Sequence, residues 1–598
     1  MVDALPNVPS LIDEFSAPAE SGKNAAIGAR GVRGSISTEV RLGLVPKNQR
    51  DQYRKAANLA KRAIRMSDDG DHQGAAKPAL AALDLAPDYA LPNHTIGLIL
   101  FRLGRLSRAL QFYERAWRID PRDAEIYLNM GIVAWKLDML DAAEKFYRLC
   151  VDLAPENMNG LINLASVLRD QGRYDDAIEL LRAQIFLRPE NVDLWNSLGT
   201  VVADSGDPVG SVPFYTEALR INPGFARGHN NLAAVYELTG NPTLAIKHFE
   251  EALKSPKDAI DRATMRHGLS HALLAAGRLA EGWKSQQSRL DPDNIQATLF
   301  AMNCPRWESL DPADIVGKKV VIVGEQGLGD EVLFLNSAHE LQSQIGASGE
   351  LRIACEQRLV PLIQRSFPLA RVDNHLSTVL EGRNVRTAGG LDRGADFWTP
   401  MGDQLGAFRP SVESFPDTPA FLTPDLQRAD AFRQELAALG PGLKVGVLWK
   451  SLKMTGSRAR FFSPLDAWKP VLQTPGVTFI NMQYGETADD IQRARDEFGV
   501  TLYTPETLDL KNDLDGVAAM GQALDLMIGP MTASINLAAA CGGDVWVFLP
   551  HRRHWITFSS DRLPWYPSAR LFFGDGFGDW TGIMAQLAAA LRERVAQS

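Results

Sequence analysis

Apolar residues in the first half of the chain recur every three or four positions, in paired stretches separated by a short polar turn. In AEIYLNMGIVAWKLDMLDAAEKFYRLCVDLAPEN (124–157), Ile126, Leu128, Gly131, Ala134 and Trp135 mark one helical stripe. Ala143, Phe146, Tyr147 and Leu149 mark a second. The chain turns around Asp138, and Pro155 stops the second helix because proline cannot continue a helix interior. The whole pattern repeats. Pro87, Pro121, Pro155, Pro189 and Pro223 lie 34 residues apart. Gly70, Gly104, Gly172, Gly206 and Gly240 keep the same step, with Asp138 in the gap, and so do Ala75, Ala109, Ala143, Ala177 and Ala245, with Ser211 between. Three registers of one period predict stacked helix pairs, in blocks starting at 56, 90, 124, 158, 192 and 226, with an irregular unit following to about 290.

The eighth position of each block is small (Gly97, Gly131, Ala165, Gly199, Ala233), which lets neighbouring helices approach closely. The pattern resembles the tetratricopeptide repeat, whose helix pairs stack into a superhelix with a concave binding face. The sixth position holds Thr95, Asn129, Asn163, Ser197 and Asn231. In that fold this position tends to face the groove, and an asparagine offers one acceptor and two donors to a peptide backbone. The column resembles the asparagine ladder of O-GlcNAc transferase, with Thr95 and Ser197 interrupting it. Asn129, Asn163 and Asn231 are therefore candidate acceptor-protein contacts, the alternative being ordinary solvated positions.

From Lys318 the periodicity changes to short apolar runs alternating with helical segments. KKVVIVG (318–324) and ELRIAC (350–355) read as buried strands, and after a Pro/Gly-rich stretch around 398–424 the pattern restarts with LKVGVLWK (443–450), VTFINMQ (477–483), LDLMIGP (524–530) and DVWVFLP (544–550). This predicts an α-solenoid followed by an α/β region of two doubly wound, Rossmann-like halves. The expected divisions are a mostly disordered segment at 1–50, the superhelix at 51–290, a linker at 291–317, and the two halves at 318–425 and 426–598.

Composition narrows the class. A chain of 598 residues is too long for one core. Net charge is −9, so a nucleic-acid role would need a local basic patch working against the overall field. Cys150, Cys304, Cys355 and Cys541 are far apart and offer no CxxC pair, which fits a reducing compartment. The N-terminus MVDALPNVPSLIDEFSAPAE lacks the basic start and apolar run of a signal peptide, and no apolar run is long enough to span a membrane. A cytoplasmic protein is the expectation.

Candidate chemistry gathers where the strands end. In GEQGLGDE (324–331) a dinucleotide fingerprint would put a third glycine where Val332 stands, and Asp330 and Glu331 at the helix start would repel a phosphate. The loop is suited to placing a carboxylate in a cleft, unless Asp330 only caps the helix. GPMTASINLAAACGG (529–543) is the better anion site, with Thr532 and Ser534 opening a helix of small residues. Lys450, Lys453, Arg458 and Arg460 supply cations, and MQYGE brings Gln483 to a strand end. His551 and His554 lack a third ligand, so no metal is expected.

With these residues the span from about 318 to 590 resembles the GT-B glycosyltransferases of the heptosyltransferase type. The resemblance implies that Asp330 is the catalytic base, with nearby Glu325 or Glu331 as alternatives. It implies that Lys450, Arg460, Gln483, Thr532, Ser534 and Asn536 bind the nucleotide-sugar donor. Met531 and Asn536 stand where that family usually has Asp and His. Repeats fused to such a transferase resemble bacterial protein glycosyltransferases that modify flagellin. The implied reaction is metal-independent and needs no cofactor. A sugar, by resemblance a CMP-linked nonulosonic acid of the pseudaminic type, passes to Ser/Thr of a flagellin recruited by the repeats. An envelope-glycolipid transferase and a non-catalytic scaffold are the rival expectations.

Overall fold

A computed structural model describes residues 50–294, 297–380, 383–450, 462–574, 576 and 578–597. The expectation for the first 49 residues lies outside the described residues. The chain forms two compact units, divided at Asn222. The first holds the residues up to Asn222 with Val379–Arg383; the second holds Pro223–Thr378 and Asn384 onward.

Helix pairs run in series from Arg50–Asp68 with His72–Leu85 to Ala259–Ala275 with Leu279–Gln286. Five of them open at Ala90, Ala124, Met158, Val192 and Ala226, the predicted 34-residue step. The turn inside each pair passes through a left-handed residue. Glycine takes that conformation without steric cost at Gly104 (φ +74°), Gly172 (φ +76°) and Gly206 (φ +107°), whereas Asp138 adopts φ +64° with a Cβ. Asn157, Asn191, Asp207 and Asn241 cap the helices that follow them by accepting a backbone N–H. The small eighth position has a specific cause. A Cβ on Gly97, Gly131 or Gly199 would lie 2.6 to 2.8 Å from the ring of Tyr113, Tyr147 or Tyr215, the aromatic sixteen residues on.

Every run read as a strand is one. The first parallel sheet has the order β4-β3-β2-β7, from Arg371–Asn374 (β4), Glu350–Cys355 (β3), Lys319–Val323 (β2) and Phe397–Pro400 (β7). The second, also parallel, has the order β12-β11-β10-β8-β9, from Arg570–Phe573, Val545–Leu549, Leu526–Gly529, Leu443–Val447 and Val477–Asn481. A small third sheet joins Leu299–Phe300 (β1), Arg383–Thr387 (β6) and Leu376–Leu380 (β5). In the first sheet the strand order reverses between β2 and β7, and in the second between β8 and β10. Crevices at such reversals open beyond the carboxyl ends of the strands.

One core of the second unit spans the last helix pair and both large sheets. It contains Leu274, Leu279 and Trp283 of the last helix pair, Val320 and Ile322 of β2, and Ile535 and Leu537 of the helix after β10. The Trp283 indole N–H donates to the Arg409 carbonyl at 2.7 Å. Two expectations change accordingly. The superhelix was expected to run as a body to 290, but its last pairs fold with the sheets. The stretch 291–317, expected as a linker, is packed, with Trp307 and Ile315 fully buried in the same core.

Candidate functional site

β2 delivers the chain into the loop before the helix Leu328–Phe334. Gly324 has no room for a side chain, because a Cβ would lie 2.4 Å from the Glu331 carboxyl carbon. The next three acids have different fates. Glu325 is buried and gripped by Arg289, whose Nε and Nη2 reach its two oxygens at 2.7 and 2.6 Å. Glu331 is buried and faces His375 Nε2 at 3.0 Å, while its other oxygen accepts the Glu356 N–H at 2.8 Å. Asp330 is half-buried and accepts the Gly327 N–H at 3.1 Å. Burial pushes its carboxyl up to about 6, against the pull of the Gly327 N–H; the charges of Glu325 and Glu331 add to the rise and that of His271 opposes it. A carboxyl that is ionised near neutral pH yet holds a proton readily is suited to general-base work. Glu325 and Glu331 are saturated by partners, so the geometry favours Asp330 among the three.

The Asp330 helix packs against the helix Ala533–Ala540, which follows β10. Gly329 is the point of closest approach: a Cβ there would stand 3.1 Å from Asn536 Nδ2 and 3.6 Å from the Ala533 nitrogen. The structure therefore sets Asn536 against the helix that carries Asp330. Asn536 is buried, and its Oδ1 accepts the Tyr566 hydroxyl at 2.8 Å. Thr532 stands at the start of its helix, with a buried Oγ1 that has no hydrogen-bond partner among the described residues. Ser534 is buried in the first turn. β8 and β10 are neighbours and end side by side, so Lys450 and Thr532 leave the same sheet edge.

Lys450 is engaged at that edge. Its ammonium lies 2.5 Å from Asp490 Oδ2 and 2.7 Å from the Glu486 carbonyl. Part of the charge expected for a donor phosphate is already neutralised. Gln483 is fully buried and its Oε1 accepts the N–H groups of Trp449 and Lys450 at 3.1 and 2.9 Å, so it shapes the strand end. Arg460, Lys453 and Arg458 lie outside the described residues.

On the repeats, Asn129 differs from the expected groove position. It is 2% exposed and its amide meets His94 Nε2 at 2.6 Å, because the histidine of the preceding repeat fills the space in front of it. Thr95 is also buried and donates to the Leu91 carbonyl. Asn163 and Asn231 are half-buried.

The last repeats supply groups that sequence reading passed over. His271 stacks on Trp555 at 5.6 Å between centroids, with Nδ1 3.5 Å from Glu237 Oε1. His267 lies edge-on to it at 4.6 Å. Their helix reads as an ordinary amphipathic one, so no local signal marks them. Among the described residues no group of three or more His, Cys, Asp or Glu is placed to hold a metal ion.

A TPR repeat profile matches residues 97–138, and tetratricopeptide repeat profiles match 124–157, 162–224 and 226–258. The chain carries tetratricopeptide repeats. Helical repeats of this kind build extended concave surfaces that bind proteins. Over 343 residues the chain is 43% identical to Protein FlbA of Caulobacter vibrioides, a match covering 57% of this chain and 57% of that protein. The chain thus matches less than two thirds of that relative's length. Solved structures similar to it include TTC0263, a thermophilic tetratricopeptide protein of Thermus thermophilus, at 23% identity over 30% of this chain and 98% of that one (TM-score 0.27). Another is pilF of Pseudomonas aeruginosa, at 14% identity over 36% and 96% (TM-score 0.30). Among the described residues no helix is long and apolar enough to cross a membrane.

Proposed function

We propose that this chain is a protein O-glycosyltransferase of GT-B type, whose repeats recruit the acceptor and whose second unit performs transfer. Asp330 takes the proton of an acceptor Ser or Thr hydroxyl. The hydroxyl oxygen forms a bond to the anomeric carbon, and the bond from that carbon to the nucleotide phosphate breaks, its electron pair leaving with the phosphate. The Thr532 hydroxyl and the free N–H groups opening the Ala533–Ala540 helix meet the charge on that phosphate. Lys450 contributes less than a free ammonium would, because Asp490 shares it.

The observation that carries this reading is the Asp330 carboxyl. It is half-buried, raised to about 6 by burial, and set against the helix that opens with Thr532, beyond the carboxyl ends of parallel strands. Two parallel sheets with reversed strand order support the GT-B assignment. The acceptor proposed is flagellin and the donor a CMP-activated nonulosonic acid, both from the resemblance of the sequence to bacterial flagellin glycosyltransferases. Intact mass of flagellin produced with and without this chain tests acceptor and sugar together. Hydrolysis of the donor by the isolated chain separates a transferase from a scaffold that only binds.

A further inference from the structure

The start of the helix Ala533–Ala540 carries three hydrogen-bond donors that the protein itself leaves unused. The Ala533 N–H opens the helix, where no intrahelical carbonyl can reach it. Thr532 Oγ1 is buried and has no hydrogen-bond partner among the described residues. The third donor is the amide of Asn536. Its backbone N–H donates to the Thr532 carbonyl at 2.9 Å, so the two residues stand one turn apart on one side of the helix. The helix packs against Leu328–Phe334, and Gly329 marks the contact. A Cβ on Gly329 would lie 3.1 Å from Asn536 Nδ2 and 3.6 Å from the Ala533 nitrogen. Glycine thus keeps the space beside these donors clear of a side chain. Met531, Thr532 and Ala533 are half-buried, so the helix start is not sealed.

Asn536 is 4% exposed, and which end of its amide faces Gly329 determines what that space can hold. Tyr566 fixes the end. Its hydroxyl lies 2.8 Å from Asn536 Oδ1. Burial pushes the phenol well above its usual range, so it keeps a proton to donate. An amide oxygen accepts that proton, whereas an amide nitrogen only donates. Oδ1 is therefore engaged by Tyr566. Nδ2 is left toward Gly329 and has no hydrogen-bond partner among the described residues. Tyr566 is itself buried and lies parallel to Phe421, with ring centres 5.9 Å apart, so the ring that turns the amide is held in place. Three neutral donors fixed in advance on one side of a helix start suit an oxygen anion.

We propose that Asn536 completes an oxyanion pocket with Thr532 and the Ala533 N–H, and that Tyr566 is the positioning residue that turns the amide N–H into it. The proposal rests on the donor-binding role given above to the Thr532 helix. A nucleotide phosphate and the carboxylate of a nonulosonic acid present the same chemistry to such a pocket, and a group that can only donate would find no acceptor there.

Calorimetry on the full chain with cytidine, CMP and a CMP-activated nonulosonic acid tests it. Tyr566→Phe keeps the ring and removes only the hydroxyl, and should weaken binding of the anionic ligands about fivefold. Asn536→Ala should weaken it about tenfold. Adding Tyr566→Phe to Asn536→Ala should weaken it no further, because the hydroxyl acts through the amide. Asn536→Asp turns a carboxylate to the pocket and should cost about 100-fold or more. Cytidine lacks an oxyanion and should bind parent and variants alike. Losses already present with CMP put the phosphate in the pocket; losses present only with the sugar-linked donor put the carboxylate there. Additive losses in the double variant overturn the positioning role of Tyr566. Equal losses with cytidine overturn the pocket. A parent that binds neither CMP nor the sugar-linked donor overturns the donor reading and the pocket with it. A parent that binds both, beside Asn536→Ala and Asn536→Asp chains that bind them equally well, sinks this inference alone.

Discussion

Replacing Asp330 by Asn should stabilise the protein while abolishing its activity. The amide keeps the shape of the carboxylate, and its oxygen can still accept the Gly327 N–H. It cannot take a proton at neutral pH, so turnover should fall by roughly 100-fold or more. Stability moves the other way. The folded carboxyl titrates at about 6, above the ordinary aspartate value, because burial opposes its charge. The native state therefore holds its proton through a window in which the unfolded chain has lost it. Native stability falls as pH rises from about 4 to about 6 and stays lower above that window. A shift of about two units corresponds to about 3 kcal/mol, and solvent access to the half-buried side chain reduces this to about 1–2 kcal/mol. Asn carries no such cost. Urea melts at pH 3.5 should thus find parent and variant nearly alike, and at pH 7.5 the variant more stable. The parent's own activity should show an acid limb centred near pH 6. A plain helix cap predicts neither result, since Asn caps nearly as well as Asp and would leave turnover intact. An Asp330→Asn chain that glycosylates at the parent rate refutes the mechanism. One that is less stable at pH 7.5 refutes the burial argument behind it.

Gly329→Ala should push the two site helices apart, since the new Cβ would stand 3.1 Å from Asn536 Nδ2; a cost of about 1–3 kcal/mol in urea melts and weaker donor binding in calorimetry are expected. Asn129→Ala should lower the melting temperature by leaving His94 without its partner, whereas Asn163→Ala should leave the melt alone and weaken acceptor binding, by about 1 kcal/mol in a pull-down titration. A fragment ending at 290 carries Leu274, Leu279 and Trp283 without the core they pack into and should bind a hydrophobic dye strongly, while one ending at Asn222 should not.

The periodic parts of the fold were legible because their causes are local. A 34-residue step in three registers needs no long-range contact to be seen, and neither does a buried strand such as Val320–Val323. The strands that were missed lack that signature. β4 reads RVDN and lies at a sheet edge, and β7 reads FWTP at the start of a proline-rich stretch; each is paired on the strength of its neighbour rather than its own pattern. The site divides in the same way. Asp330 was visible because a helix start after a buried strand is a recognisable place for an acid. The engagement of Lys450 was not, since Asp490 lies forty residues away on a helix with several acids. Asn129 shows the converse failure. Its position in the repeat is the expected one, but His94, one repeat earlier, decides whether that position is open.

The same reasoning accounts for how the repeats end. Each helix pair of a superhelix buries one face on its neighbour, so the last pair ends with an apolar face that something must cover. A polar capping helix is one solution. Here Leu274, Leu279 and Trp283 turn that face into the core shared with β2 and with the Asp330 helix. The cover of the superhelix is thus the floor of the candidate site. Anything that shifts the terminal pair must disturb packing that also holds Val332 and Phe334, the residues seating the helix that carries Asp330. Close-packed interiors transmit such strain because they have little free volume to absorb it. The last helix pair therefore shares apolar contacts with the helix that carries Asp330 and an ion pair, Arg289 with Glu325, with the strand end before it, and neither is marked in the 34-residue pattern, which ends before the residues that make them.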